Sequence, residues 1–534
     1  MNRRFILWLI GLSLIMTLPL WAILAFKWPI STDLIFYATS LNAFSQQFWA
    51  GEIYPRWLMN TNAGFGSPVF VFYSPLPFYA MSFFEFLSPL DPHGFGRIFI
   101  GLMLSVMLAG ITCYRWLALE TDVKTVEKGA LIYAGFPYLL LHMYGGFAVA
   151  QLWGIALFPL LLEASHDVAH KGWRSLPKLA LAYSLLSATH LPSLLMFAAV
   201  PCLYVLVFSP DGKKIILTLL ATASALLGIA LAAICILPAL LNKDYIASEH
   251  FLDGNLVYAK DFLDTWSQLG LVSVVLPLIL LYLELPKATR RLQLTKPVRF
   301  WIAVEAVFLF MALPLSKPLW DALPPLQHLQ FPFRFFLAML PGTVFIALQF
   351  LPQVKSRHLY RNVFVIGLVC AVVYGDSTAF YVKETPIADL LHNHLLARPE
   401  YQTRWMENAH ADFRLHVPEH FLQMKPASVT DGSGNVTIVS QDARNIQLHA
   451  DITSPQATIL LRRFYFPRWV AGANNFIIAE HDALLSLRLP RGSHDVNLSQ
   501  PWFSGERESA AISIGAFLLW LTLAMWAMRP QRMA

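Results

Sequence analysis

Apolar runs broken by short polar stretches recur along the whole chain. The first extends from about Phe5 to Phe26. Others lie near 98–118, 129–144, 147–165, 178–190, 191–208, 214–240, 269–285, 300–315, 334–352, 362–377 and 508–528, twelve in all. About 20 apolar residues in a helix cross a bilayer, because each backbone polar group must be satisfied inside the segment. Several runs are shorter and read as broken helices. The pattern predicts a polytopic α-helical membrane protein of about twelve transmembrane helices. Met1-Asn2-Arg3-Arg4 resembles the start of a signal peptide, but the apolar run is long and no small-x-small site follows it. An uncleaved anchor is expected.

Lys and Arg orient the spans. Nineteen fall in loops on one side and seven in the short loops of the other. Both termini are therefore expected in the cytoplasm. The long loops, 27–97, 241–268, 316–333 and 378–507, then face outward. Chemistry concentrates on ordered polar loops, so the outer face is the functional one.

Within 378–507 the period of the apolar residues changes to two. Runs at Asn435–Ser440, Ile446–Ile452, Thr458–Phe464, Asn475–Ala479 and Ala483–Leu489 read as strands, with a short one at Val496–Leu498. Turn residues at Asp431-Gly432-Ser433-Gly434, Ala473-Asn474 and Arg491-Gly492 separate them. An extracytoplasmic β-sandwich is expected just before the last helix, with a helical or irregular start at 384–408. The organisation expected is thus a membrane domain over 1–377, the sandwich over 378–507, and a final helix with its tail over 508–534. Phe464-Tyr465-Phe466-Pro467-Arg468-Trp469 offers aromatic faces for a sugar, or else a sandwich core.

Composition narrows the function. Apolar residues make up 56% of the 534 and charged residues 13%, against about 25% charged in soluble domains. A disordered chain and a disulfide scaffold are excluded, and a soluble enzyme is not expected. The net charge of +6 sits in loops between spans and does not point to nucleic acid. Cys113, Cys202, Cys235 and Cys370 lie in apolar stretches without metal-ligand spacing and read as packing. No phosphate-binding P-loop, His-Glu-x-x-His or Gly-x-Ser-x-Gly pattern is present.

The first outer loop carries the candidate chemistry. Ser31-Thr32-Asp33 opens a helical pattern reaching Ala50. Asp33, Tyr37, Ser40, Phe44 and Gln47 recur at helical spacing, while Leu34, Ile35, Leu41 and Phe48 supply an apolar side. A helix along the membrane interface is expected. Asp33, at the mouth of a membrane cavity, can serve as general base toward an acceptor hydroxyl or can complement the helix dipole. No cofactor is fixed by the sequence; a divalent cation, Mg or Mn, beside Asp33 is the open alternative. Next come Gly51-Glu52-Ile53-Tyr54-Pro55-Arg56-Trp57, Asn62-Ala63-Gly64-Phe65-Gly66-Ser67-Pro68, and an aromatic stretch around Tyr73. Gly and Pro at this density prevent regular helix. The aromatics suit a groove for an isoprenoid chain, and Arg56 suits a lipid phosphate or an interface anchor.

These motifs resemble the GT-C type membrane glycosyltransferases, and within them the YfhO-like and pyruvoyl-tetrahydropterin-synthase-related membrane proteins. That second name implies no pterin chemistry. The resemblance continues through Ala148-Val149-Ala150-Gln151-Leu152-Trp153, Ala188-Thr189-His190-Leu191-Pro192, Cys235-Ile236-Leu237-Pro238-Ala239-Leu240, Leu329-Gln330-Phe331-Pro332-Phe333-Arg334, Tyr465-Phe466-Pro467-Arg468-Trp469 and Leu489-Pro490-Arg491-Gly492-Ser493-His494. It implies transfer of a sugar from a polyprenyl-phosphate donor to an envelope glycan, lipid or protein on the outer face of a bacterial inner membrane, with inversion. Asp33 would be the base. Arg334, with Arg56 second, would bind the donor's lipid phosphate. Tyr37, Tyr54, Trp57, Tyr73, His190 and Gln330 would line the cavity. Tyr37 stands where many such proteins have a histidine, and the loop lacks an Asp-x-Asp pair. Both departures weigh against a metal.

A lipid-linked sugar transporter or flippase is the alternative, with a non-catalytic envelope assembly factor as a third reading. Transporters carry polar groups at mid-membrane. Glu305, about six residues into its span, is the one that stands out here.

Overall fold

The structure, a computed structural model, describes residues 1–26, 32–91, 93–121, 123–246, 258, 262, 264–284, 294–350, 401–409, 423–472 and 476–529. The span expected at 362–377 and most of the irregular start at 384–408 lie outside them. Among the described residues, six helical stretches are long and apolar enough to cross a membrane. A seventh is reached if Lys296–Ala312 and Pro314–Ala322, bent by 80°, form one span.

Many expected spans occur as shorter helices in series. The run 129–144 becomes Val123–Ala134 and Pro137–Tyr144. Phe136 is extended at the break (φ −64°, ψ 133°), as a residue before proline prefers. The runs 178–190 and 191–208 become Leu176–Thr189, Leu191–Phe197 and Ala199–Phe208. Helix Val149–Lys171 turns back at Gly172 into the helix that begins at Leu176. There Lys178 reaches Glu163 (2.6 Å) and Asp167 (2.5 Å), while Arg115 holds Glu163 (2.8 Å).

Helix Phe95–Leu117 packs on Val149–Lys171 through buried polar pins. The Thr112 hydroxyl donates to the Ala156 carbonyl (2.6 Å) and the Trp153 indole to the Gly101 carbonyl (2.8 Å). Glu305 is buried between helices, where the Thr343 hydroxyl donates to it (3.2 Å).

The C-terminal β unit corrects the expected sandwich. Its six strands, β1 Ala427–Asp431, β2 Gly434–Gln441, β3 Asn445–Phe464, β4 Val470–Ala471, β5 Ile477–His481 and β6 Leu484–Ser499, form one antiparallel sheet. β3 and β6 pair from Asn445↔Ser499 to Phe464↔Leu484, with irregularities between Ile452 and Gln456 and between Leu460 and Phe464. β2 joins the first half of β3 and β1 the second. β4 and β5 likewise divide β6. Ile446, Leu448, Ile459, Leu461, Leu487 and Leu498, from both halves, share one core with Trp469. The strands therefore belong to one continuous sheet instead of two stacked ones. Four of the expected strands are halves of two long ones, because a bulge interrupts the period of two without ending the strand.

Nor does the sheet stand apart. Phe464 and Phe466 are buried with Trp57, Phe65 and Val71 of the first outer loop. Phe65 stacks on Phe464 at 5.1 Å, the Phe464 N–H donates to the Phe65 carbonyl (3.0 Å), and Arg462 donates to the Ala63 carbonyl (2.8 Å). The aromatic run thus joins sheet to loop and does not present a sugar-binding face.

Candidate functional site

Helix Thr32–Trp49 starts the site. Its residues are buried on nearly every face, with Gln46 and Trp49 exposed near its end. The expected interfacial helix is therefore an internal one. Loop aromatics cover it: Phe70 lies 4.6 Å and Tyr79 4.9 Å from the Phe44 ring. Gln47 ties the loop to the helix, donating to Glu52 (2.7 Å) and to the Trp57 carbonyl (2.9 Å) and accepting from the Met59 N–H (2.8 Å). Burial is the main cause that raises the Glu52 carboxyl above its ordinary range.

Asp33 occupies the first turn, half-buried, where its charge complements the helix N-terminus. Tyr37 follows one turn later on the same face. Its hydroxyl is 2.6 Å from that of Tyr73, and its oxygen accepts the Ala150 N–H (3.1 Å). Ala150 is the second residue of helix Val149–Lys171, whose first N–H groups lack intrahelical partners. Burial raises both phenols above their ordinary value. They are therefore neutral hydrogen-bonding groups near neutral pH and not bases.

Arg334 closes the group. It begins a short helix after Phe331-Pro332-Phe333. Gln330 turns the chain there with φ +64°, a left-handed conformation rare for a residue with a side chain. The guanidinium folds back, donates to the Leu329 carbonyl (2.6 Å) and lies 4.8 Å from the Phe331 ring centre. Its Nε is buried without a partner. Among the described residues no carboxylate pairs with it; its electrostatic neighbours are Tyr37, Tyr73 and Tyr401. His142 and His190 are also within its electrostatic reach.

His190 does more than fill a wall. It caps helix Leu191–Phe197, its Nδ1 accepting the Ser193 N–H (3.2 Å) with the Ser193 hydroxyl at 2.8 Å. With Nδ1 as acceptor, the neutral ring carries its proton on Nε2.

The other expected site residues lie elsewhere. Arg56 is fully buried and paired with Glu506 at 3.1 Å, its Nη2 donating to the Ile234 carbonyl (2.7 Å). Arg444 holds the same carboxylate at 2.8 Å. Its charge is met inside the protein, while its Nη1 is buried without a hydrogen-bond partner. Tyr54 lies under Arg56, its ring centre 3.9 Å from the guanidinium carbon. Trp57 is buried at the joint with the sheet, 6.0 Å from the Phe466 ring. Neither lines the group around Arg334.

Two residues escaped the sequence reading. The Tyr401 ring stacks on Phe36 (6.1 Å) and meets Tyr73 edge-on (6.0 Å). It sits in a stretch with no readable period. His142 lies inside an apolar run and reads there as core, yet its Nε2 is buried without a partner. Among the described residues no three His, Cys, Asp or Glu gather as a metal-ligand set.

Comparison with known proteins follows this geometry. A model of the family described as 6-pyruvoyl-tetrahydropterin synthase related domain, a membrane protein, matches residues 70–382. No curated protein matches. Among solved structures, the mycobacterial arabinofuranosyltransferase AftD, in a mutant form seen by cryo-electron microscopy, is similar over 77% of this chain. It does so at 18% identity with a TM-score of 0.43, and this chain spans 30% of its length. At that score the two folds are only loosely alike.

Proposed function

The chain belongs to the 6-pyruvoyl-tetrahydropterin synthase related family of membrane proteins, and on that footing we propose that it is a membrane glycosyltransferase. Its donor is a sugar on a polyprenyl phosphate, and its acceptor is a hydroxyl of an envelope glycan, lipid or protein. The work is done on the outer face of a bacterial inner membrane, with both termini in the cytoplasm. Residues 1–377 form the catalytic membrane part, 378–507 the outer β unit and 508–534 the last span and tail.

One observation supports this reading above the rest. The Arg334 guanidinium rests on the Leu329 carbonyl and the Phe331 ring, without a carboxylate partner among the described residues. A desolvated cation is costly unless an anion meets it. A guanidinium fork matches the oxygens of a phosphate.

The chemistry follows from the residues. Asp33 takes the proton of the acceptor hydroxyl. The freed oxygen forms its bond to the anomeric carbon from the face opposite the phosphate. The bond from that carbon to the phosphate oxygen breaks, and its electron pair leaves on the polyprenyl phosphate. Arg334 neutralises that leaving charge. Tyr37 and Tyr73 orient the region between the two without titrating.

The test uses purified protein in nanodiscs, radiolabelled undecaprenyl-phosphate sugars and a membrane-extract acceptor. Release of undecaprenyl phosphate should vanish in a folded Asp33→Asn. Turnover that survives that change removes Asp33 as base. A folded wild type that binds no polyprenyl phosphate overturns the reading.

A further inference from the structure

His142 is a buried group that the reaction above does not use. It sits on helix Pro137–Tyr144, 2% exposed, and its Nε2 lacks a hydrogen-bond partner. An unpaired buried nitrogen is uncommon and marks a place where a polar atom fits. Its surroundings are aromatic. Tyr138 meets it edge-on at 5.0 Å, Trp266 lies at 5.1 Å and Phe333 at 5.8 Å. The Tyr138 hydroxyl donates toward the backbone carbonyls of Trp266 (3.2 Å) and Phe333 (3.3 Å), which ties both chain segments to the helix that carries His142.

This wall leads to the cation. Trp266 stacks on Phe333 (5.3 Å, 20° between planes), Phe333 on Phe331 (5.1 Å, 17°), and the Arg334 guanidinium lies over Phe331. The Ala148 N–H donates to the His142 backbone carbonyl (3.1 Å), which places the helix that carries His142 next to the start of helix Val149–Lys171, where Tyr37 accepts the Ala150 N–H.

A half-buried Trp266 ring 5.1 Å from an imidazole with an unpaired nitrogen matches the chemistry of a sugar ring, whose C–H face packs on aromatic carbon while a hydroxyl meets the nitrogen. A phosphate finds no countercharge on such a wall and finds one at Arg334. We propose that His142 and Trp266 form the subsite for the donor's sugar ring, with His142 Nε2 hydrogen-bonded to one hydroxyl. This rests on the donor reading above. His142 is a positioning residue that selects the sugar, and Arg334 holds the phosphate.

The experiment measures equilibrium binding to the full chain in nanodiscs. The probes are radiolabelled undecaprenyl phosphate and its arabinose, glucose, galactose and mannose derivatives. Wild type should bind one derivative more tightly than the bare lipid phosphate. His142→Phe keeps an aromatic side chain and removes the nitrogen. It should lower affinity for that derivative about tenfold, the worth of one buried hydrogen bond, and leave the bare lipid phosphate unchanged. Arg334→Gln should weaken both. Trp266→Leu, altering a half-buried residue, repeats the test if His142→Phe does not fold. Equal loss for bare and sugar-bearing lipids would overturn the subsite, as would a wild type that prefers no sugar. If wild type binds neither, the donor reading itself falls.

Discussion

Arg56 and Glu506, 450 residues apart in sequence, form a buried ion pair at 3.1 Å. It ties the first outer loop to the start of the last helix, and Arg444, just before β3, shares the same carboxylate. One acid therefore compensates two arginines. Glu506→Gln strands Arg56, while Arg444 keeps Glu52 at 4.0 Å, and should destabilise the protein by about 3–5 kcal/mol. Adding Arg56→Met to that variant should recover much of the loss. Thermal unfolding in detergent measures both, and an unchanged midpoint in Glu506→Gln would deny the pair its role.

The same loop supplies a steric contrast. Gly64 and Gly66 both have positive φ, +88° and +85°. A Cβ on Gly64 meets nothing within 4 Å, whereas on Gly66 it would lie 2.1 Å from Trp57 Nε1. Gly64→Ala should cost only the left-handed strain, about 1–2 kcal/mol. Gly66→Ala should cost clearly more and should loosen the sheet from the loop, seen as faster proteolysis of the β unit. Equal midpoints for the two variants would contradict the packing.

Tyr37 and Tyr73 share a short contact but differ in what else they hold. Only Tyr37 also accepts the Ala150 N–H. Tyr37→Phe leaves that buried donor unmet and should cost about 1–3 kcal/mol, more than Tyr73→Phe. Unfolding midpoints of the two variants, measured side by side, decide the order.

Arg334 should resist conservative replacement. Lysine keeps the charge and loses the fork. Turnover of a polyprenyl-phosphate sugar should fall by roughly 100-fold or more in Arg334→Gln and remain well below wild type in Arg334→Lys. Wild-type rates in Arg334→Lys would show that charge alone suffices.

The exposed face of the sheet predicts a pH response. His449 Nδ1 lies 2.7 Å from Asp495, with Asp451 3.4 Å from its Nε2. The hydrogen bond to Asp495, helped by the charge of Asp451, raises the imidazole above 6.5. A raised value in the folded protein favours the protonated native state. The stabilisation is complete below the ordinary histidine range and is lost as pH rises through the raised value. Between about pH 6 and 8 the wild-type midpoint should fall relative to that of Asp495→Asn. Parallel pH curves would mean that the pair contributes nothing.

Much of this architecture was legible along the chain. Apolar run length marked the membrane helices, since a bilayer accepts only segments that satisfy their own backbone. Alternation marked most of the strands, and the loop from Asp33 to Tyr73 stood out by composition. Asp33 and Tyr37 could be named from their helical spacing, and Tyr73, His190 and Arg334 from the resemblance of the motifs that hold them.

What needed the tertiary structure was which polar groups already have partners. Arg56 and Arg334 look alike in sequence, each an arginine beside aromatics near a span. Arg56 is neutralised by a glutamate from the far end of the chain, while Arg334 rests on the Leu329 carbonyl and the Phe331 ring without a carboxylate partner among the described residues. His142 reads as core until its ring nitrogen is seen to be unpaired. The continuity of β3 and β6 is likewise invisible, because each keeps its period on both sides of the irregularity. Periodicity is a local property, set by the geometry of a single helix or strand. Charge compensation and polar satisfaction depend on neighbours that only folding brings together.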